Sequence, residues 1–360
     1  MSTDAERVGE GAHRSRRVTI RDVAEHLGLS VSTVSASLNG GGTLRESTRE
    51  RVRRAAEELG YRPSRAALAF RLGRTGTIAY SLPAAEEGAP AAREGGSVPV
   101  LDVEAYMIGA RAAASAAFEA GYALTLTPPS IHGEAGWNLI GADGVVVCDP
   151  VSGDERLSTL ERLGTPVVTI SRDASRPDWP FVVTNDYRGN AQLLLDHLHS
   201  RGARSIALLV PDASWSSTVE MTQGYREWIS RQGLEEIIWT IPPERVSHDA
   251  YVDVKRRLES GPRPDAIFSA AEQYRPGVLR ACRELELSIP EDMLFVLGGD
   301  SQAAAHGEPS ITAIDLLSAR QSELAVEMLL RRIDGQPVDG PIISESALSV
   351  RASTENGVGK

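Results

Sequence analysis

Cysteine is nearly missing. Cys148 and Cys282 are the only two in 360 residues, and they lie far beyond any metal-ligand spacing. That excludes a disulfide framework and a thiolate zinc site, and leaves both as buried thiols. Long apolar runs are missing as well. No stretch approaches the roughly 20 residues needed to span a bilayer, and the polar N-terminus has no signal-peptide core, so a cytoplasmic location and no membrane partner are expected. There is no Walker-type phosphate loop, no G-x-S-x-G elbow and no His-Glu-x-x-His motif. Gly40, Gly41 and Gly42 follow a helix rather than a strand, which argues against a dinucleotide fingerprint. His197 and His199 stand two apart on a helical stretch, hence on different faces, and read as surface residues rather than ligands. No catalytic residue, cofactor or metal is therefore expected. An enzyme is the competing class, because doubly wound lobes host many catalysts, but no acid, base and nucleophile set stands in recognisable spacing.

Charge is present but unevenly placed. Residues 1–75 hold 14 Arg against 9 Asp and Glu, a net of +5, whereas the whole chain carries −11, so the remaining 285 residues carry −16. A basic head on an acidic body suits a protein that offers one face to phosphates and keeps the others off them. Arg14, Arg16 and Arg17 cluster just ahead of the first helix. At this length the chain can bury sizeable cores in two or three domains.

The stretch from 19 to 39, TIRDVAEHLGLSVSTVSASLN, reads as two short helices joined by a tight turn. Thr19 caps the first, Asp22 sits in its first turn where the helix dipole favours an acid, and Ile20, Val23, Ala24 and Leu27 share one face. Gly28 ends it, and Ser30 caps the next, whose Val34 and Leu38 face inward. The outward set is then Val31, Ser32, Ser35 and Ala36, short neutral side chains that let the helix press close to base-pair edges. A third helix over 49–59 turns Val52, Ala55, Ala56 and Leu59 toward the first two and ends at Gly60.

The wording DVA, G-x-S-x-x-TVS, LN, TRERV, AAEELGYRP and GRTGTI, spread over residues 19–78, resembles the lactose-repressor (LacI/GalR) family. The resemblance implies a transcriptional regulator, most simply a repressor, that binds a double-stranded, pseudo-palindromic operator as a homodimer and carries a small-molecule-sensing body. It assigns base reading to Val31 and Ser32 and phosphate contacts to Thr19, Ser30, Thr33, Ser35, Asn39 and Arg49, with Tyr61, Ser64 and Ala67 also facing DNA. Family members commonly have Arg where Ala36 stands, so preference at that base step should be relaxed. The short helix over 65–72 matches the family's hinge, and Phe70 takes the place of its minor-groove leucine wedge.

From Thr75 onward short apolar runs alternate with helical stretches. Strands are expected at 77–82, 123–127, 144–148, 166–171, 205–210, 237–241, 266–270, 294–298 and 311–314. Helices are expected at 104–120, 154–163, 187–201, 218–232, 251–260, 276–285 and 316–333. Apolar strands with intervening helices mean parallel sheets covered on both faces, here split into two. The expected fold is thus α/β: a three-helix helix-turn-helix headpiece and a two-lobed body like periplasmic sugar-binding proteins. The expected division is a disordered lead at 1–16, the DNA-binding domain at 17–62, the hinge at 63–75, the body at 76–354 and a tail at 355–360. Within the body, the first lobe takes 76–174 and 304–334 and the second 175–303 and 335–354, with the boundary at the polar stretch 173–178. Residues 83–100, PAAEEGAPAAREGGSVPV, depart from the family as a loop of low complexity.

Ligand clefts in open parallel sheets form beyond the carboxyl ends of the strands. There the family usually has an Arg where this chain has Met221, and Asn-Asp where it has Ala271-Glu272, while Asp300 keeps the expected acid. A pocket for sugar hydroxyls needs a charged fork and an amide, since each unpaired buried polar group costs roughly 1 to 3 kcal/mol. With Trp215, Met221, Ala271, Tyr274 and Asp300 as the candidate lining, two outcomes stay open. One is a more apolar or aromatic effector; the other is no effector at all, with a body that only dimerises. No heptad-bearing helix extends the C-terminus, so a tetramer is not expected.

Overall fold

The computed structural model describes residues 18–38, 44–61, 73–83, 104–127, 131, 133–212, 215–241 and 247–355. The expectations for Arg14, Arg16, Arg17, Asn39, Ser64, Ala67 and Phe70, for the hinge helix over 65–72 and for the loop from 84 onward lie outside the described residues. The chain falls into two compact units, Met1–Thr75 and Gly76–Lys360.

The first unit holds α1 (Ile20–Leu27), α2 (Val31–Leu38) and α3 (Glu46–Glu58). Asp22 accepts hydrogen bonds from both the backbone N–H and the hydroxyl of Thr19, each at 2.7 Å, which fixes the entry to α1. Gly28, at φ 63°, turns the chain out of α1 in the left-handed conformation that costs any other residue a Cβ clash. Ser30 Oγ accepts from the N–H of Thr33 at 3.1 Å and starts α2. Val23, Ala24, Val34, Val52, Ala55 and Ala56 form the small core between the three helices. Helix α3 begins at Glu46, a turn earlier than the apolar spacing alone places it.

The second unit contains two six-stranded sheets among its described residues. The first takes β1 (Thr77–Ser81), β2 (Ala123–Thr127), β3 (Val145–Cys148), β4 (Val167–Ile170), β5 (Val182–Asn185) and β11 (Ile342–Ser344) in the spatial order β11-β5-β4-β3-β1-β2, all parallel. The second takes β6 (Ile206–Pro211), β7 (Ile237–Ile241), β8 (Ala266–Ser269), β9 (Leu294–Leu297), β10 (Thr312–Asp315) and β12 (Ala347–Ser349) in the order β12-β10-β9-β8-β6-β7. Only β12 runs antiparallel, against β10. The helices that cover the first sheet are α4 (Glu104–Glu119), α5 (Gly133–Ile140), α6 (Glu155–Arg162) and α12 (Ser318–Ile333). Those of the second are α7 (Tyr187–Ser200), α8 (Ser216–Gln232), α9 (Ser247–Ser260), α10 (Arg275–Glu284) and the short α11 (Gln302–His306). Each sheet is sandwiched between two apolar clusters, which is why its inner strands read as unbroken apolar runs. Where α4 crosses α12, a side chain on Gly109 would come within 2.7 Å of both Tyr80 Oη and Ser322 Oγ, so only glycine lets that buried hydroxyl pair form.

The nine expected strands all form, and three more join them. Three strand pairings redraw the lobe limits. Because β5 pairs with β4, the chain leaves the first lobe after Asn185, and the polar stretch at 173–178 is a surface turn held by Arg176 and Asp173 rather than the boundary. Because β10 pairs with β9, residues up to Asp315 belong to the second lobe, not the first. Because β11 pairs with β5, residues 342–344 belong to the first lobe, not the second. The chain therefore crosses at 185–187, 315–318 and 344–347. Asn185 ties the three crossings together: its amide nitrogen lies within 3.3 Å of the carbonyls of Leu316, Ser344 and Glu345, and its oxygen accepts from Gln321 Nε2 at 2.7 Å.

Candidate nucleic-acid interface and ligand cleft

On α2, Val31 and Ser32 are exposed, Thr33, Ser35 and Ala36 are half-buried, and Val34 and Ser37 are buried. The outermost patch is thus short and uncharged, with hydroxyls to donate and accept and a methyl pair to meet a thymine methyl. Thr19 and Ser30 flank it as exposed residues, while Arg49 on α3 and Tyr61 beyond it are half-buried. Ser30 Oγ also lies 2.7 Å from Ser32 Oγ and 2.8 Å from Thr33 Oγ1, so the turn presents three linked hydroxyls. From the back of the head, Arg51 donates to the carbonyl of Leu27 at 3.2 Å, a cation at the end of α1 where the helix dipole favours it.

In the second unit, the rule for open parallel sheets puts a ligand gap beyond the carboxyl ends of the two sheets, where Arg172 meets Ser216 and Glu220, and Glu104 meets Gln302. On the first lobe's side the residues after β3 and β4 are held in unusual backbone states: Asp149 at φ 37° and Ser171 at φ 69°, neither a glycine. Strain of this kind concentrates at ligand sites and costs about 1 to 3 kcal/mol per residue. Asp149 accepts a hydrogen bond from Tyr106 Oη at 2.7 Å, and Ser171 Oγ lies 3.0 Å from Tyr187 Oη. Burial pushes the Asp149 carboxyl above the usual carboxylate range, against the opposing pull of Ser171, Tyr106 and Arg156. Beneath it, the buried Arg156 clamps the strand ends, donating to the Leu82 carbonyl at 2.5 Å and pairing with Asp154 at 2.6 Å.

The second lobe's side is built differently. Asp300, the acid expected to hold a ligand, is engaged by Arg351 in a two-pronged pair, 2.8 Å to Oδ1 and 2.5 Å to Oδ2. Met221 is buried against Gly298, and Tyr274 is buried within the second lobe's core, so neither lines the gap as expected. Ala271 sits at the edge of the same core. Glu272 is also committed, to Ser301 and Arg275. Trp215 is half-buried at the start of α8, and its indole N–H is buried with no hydrogen-bond partner among the described residues. Next to it, Ser216 Oγ accepts from the backbone N–H of Arg172, across the gap, at 3.2 Å.

Of the expected second-lobe set, then, Trp215 is half-buried with a bare indole N–H, Met221 and Tyr274 are buried, and Asp300 is paired with Arg351. The sequence reading missed the first lobe's set of Tyr106, Asp149, Ser171 and Arg172. For Asp149, Ser171 and Arg172 the signal was there, since they stand at the carboxyl ends of the apolar strands β3 and β4; Tyr106, on α4, gave none. His197 and His199 are half-buried rather than open surface, one bonded to Thr354 at 2.8 Å and the other edge-on to Trp228. Both cysteines are buried and free. Among the described residues no group of His, Cys, Asp and Glu is arranged to hold a metal, and no helix is long and apolar enough to cross a membrane.

A three-helix head with a projecting second helix, in one chain with two parallel-sheet lobes around a gap, defines a DNA-binding regulator with a periplasmic-binding-protein-like body. Comparison with known proteins agrees. Residues 19–64 match the family of bacterial regulatory proteins of the lacI type, and 195–354 match the periplasmic binding protein-like domain. The chain carries a lacI-family DNA-binding domain and is a DNA-binding transcriptional regulator. It is 29% identical over 349 residues to the HTH-type transcriptional regulator CelR of Thermobifida fusca, covering 94% of this chain and 99% of that one. The repressor PurR of Erwinia tasmaniensis is 27% identical over 326 residues, covering 88% and 90%. Such relatives are regulators rather than enzymes. Among solved structures, the lac repressor dimer bound to operator and the anti-inducer ONPF superposes with a TM-score of 0.79 at 22% identity, over 94% of this chain and 99% of that one. A CelR–cellobiose complex gives 0.67 at 27% identity, over 94% and 100%.

Proposed function

We propose that this regulator is a cytoplasmic repressor that binds a pseudo-palindromic operator as a homodimer. The observation that carries this is the exposed pair Val31 and Ser32 at the tip of α2, flanked by the hydroxyls of Ser30 and Thr33. Val31 and Ser32 read bases in the major groove, while Thr19, Ser30, Thr33, Ser35, Asn39 and Arg49 fix the head on phosphates and Phe70 wedges the minor groove. Ala36 leaves one base step without a long donor, so the operator is permissive there. Binding selection on random DNA tests this. The expected result is a two-fold symmetric site with a weak step opposite Ala36, and a full-strength guanine at that step contradicts it.

The second copy docks on the first lobe. Met107 and Phe118 lie 11 residues apart on one face of α4, and Leu126 lies on β2 at the sheet edge; all three are exposed, Phe118 by 77%. A symmetric operator supplies the reason for two copies, and an exposed apolar stripe beside a sheet edge is what a two-fold contact buries.

The cleft is the sensing site, and its effector is held chiefly by the first lobe through Asp149 and Tyr106, with Trp215 offering an aromatic face and an indole N–H from the second. This chemistry fits a partly aromatic or apolar molecule that carries a hydroxyl or amine donor for Asp149. It does not provide the two-sided polar fork of a free-sugar pocket, because Asp300 is already bound by Arg351. The CelR relative solved with cellobiose sets the alternative, a sugar effector.

A further inference from the structure

We infer that the two lobes are latched together by the chain's own side chains, so that the closed arrangement is reached before any effector enters, and the effector acts on an existing clasp. The inference rests on the cleft being the sensing site. Clasping groups stand on both margins of the gap. On one margin Arg172, after β4 of the first lobe, reaches α8 of the second lobe twice: its backbone N–H donates to Ser216 Oγ at 3.2 Å, and its guanidinium lies 3.9 Å from Glu220. Both side chains are about a quarter exposed, 27% and 23%, so the pair is shielded more than a surface ion pair yet remains reachable from solvent. On the other margin Glu104, the first residue of α4 in the first lobe, accepts from the N–H of Gln302, the first residue of α11 in the second lobe, at 2.7 Å.

The hub between these margins is a separate device. Asn185 holds the three crossings in one hydrogen-bonded knot, which keeps the pivot in place while the margins open or close. Each clasp is individually weak, and two that join different elements of the same two lobes act together, because separating the lobes must break both. In a ligand-driven clamp, the bound molecule supplies most of the contacts that span the two lobes. Here the side chains of Arg172, Glu220 and Glu104 already span them. A ligand that favours either arrangement must then compete with or add to this clasp, which makes the three residues determinants of the regulator's resting state.

The test is the distance between the lobes in the full-length protein with no added ligand, read by double electron–electron resonance. Spin labels are attached at Leu139→Cys on α5 of the first lobe and Val252→Cys on α9 of the second, both exposed positions, with labelled protein diluted into unlabelled protein. The native cysteines are buried and their thiols are pushed up by that burial, Cys282 to about 11, so label goes to the introduced sites. Wild type is expected to give one dominant short distance. Glu104→Ala combined with Glu220→Ala is expected to raise the open-to-closed ratio by roughly five- to tenfold. Arg172→Glu combined with Glu220→Arg restores the pair with its charges exchanged and is expected to return the distribution toward wild type. An unchanged distribution in the double alanine variant, or a wild type that is already mainly open, overturns the latch. Operator binding by the same samples is a separate readout: its loss with the distances as expected counts against the regulator reading and not against the latch.

Discussion

The two lobes share a six-stranded design, yet they meet the gap between them with opposite chemistry. The first lobe brings Asp149 and Ser171 to the ends of β3 and β4 on strained backbone, with Tyr106 and Tyr187 in contact behind them. The second lobe spends its acid on Arg351 and buries Met221 and Tyr274, leaving chiefly the indole of Trp215. A shared strand order therefore does not imply equal shares of a binding site. On the proposed reading, the lobe with polar groups on strained backbone at its strand ends does the recognising.

The largest expected effect separates the lobes by their outer faces. Phe118→Glu on the first lobe should split the dimer and lower operator affinity by roughly 100-fold or more, since two heads joined in one particle bind far better than one. Leu193→Glu, an exposed apolar position on the second lobe, should change neither. Sedimentation velocity and electrophoretic shifts check both outcomes.

Next in size is the ion pair that sets the second lobe apart. Arg351→Ala leaves Asp300 largely buried and unpaired, so the body should lose roughly 1 to 3 kcal/mol, a fall in Tm of several degrees. Replacing both partners, Arg351→Met with Asp300→Leu, should recover much of that loss. A single variant as stable as wild type would mean that Asp300 is not committed to Arg351, and the contrast between the lobes would weaken.

A smaller effect follows from the raised pKa of Asp149. A carboxyl whose folded value lies above its unfolded one binds its proton more tightly in the folded state, so its ionised form costs stability at neutral pH and the cost fades as pH falls through the folded value. Asp149→Asn should therefore melt above wild type at pH 7.5, with the difference shrinking toward about pH 4, near the unperturbed carboxyl value. Scanning calorimetry across that range checks it, and a variant that melts lower at pH 7.5 refutes it. Stability gained by removing a group at the cost of function is the usual mark of a binding residue.

Much of this architecture is legible in the sequence where the cause is local. The Thr19–Asp22 cap, the left-handed Gly28 and the Ser30 cap define the head within a dozen residues, and nine strands announce themselves as short β-branched runs. What is hidden depends on distant partners. β5 follows a polar proline-containing stretch and takes its place through β4, β11 and the core under α12, and β11 and β12 are three residues each, too short to show a period. The Asp300–Arg351 pair joins residues 51 apart, so a motif comparison that sees the acid cannot see that it is already bound. Likewise a positive φ at Asp149 or Ser171 leaves no trace in residue type, unlike one at glycine.

The central claim is that the first lobe holds the effector. It is tested most directly by a thermal-shift screen of the full-length protein against sugars, sugar phosphates, nucleobases and aromatic metabolites, run in parallel on wild type, Asp149→Asn and Asp300→Asn. The stabilising ligand is expected to be an aromatic or largely apolar molecule with a hydroxyl or amine donor, its shift lost in Asp149→Asn and kept in Asp300→Asn. A robust shift with an ordinary monosaccharide, kept in Asp149→Asn and abolished in Asp300→Asn, would contradict it.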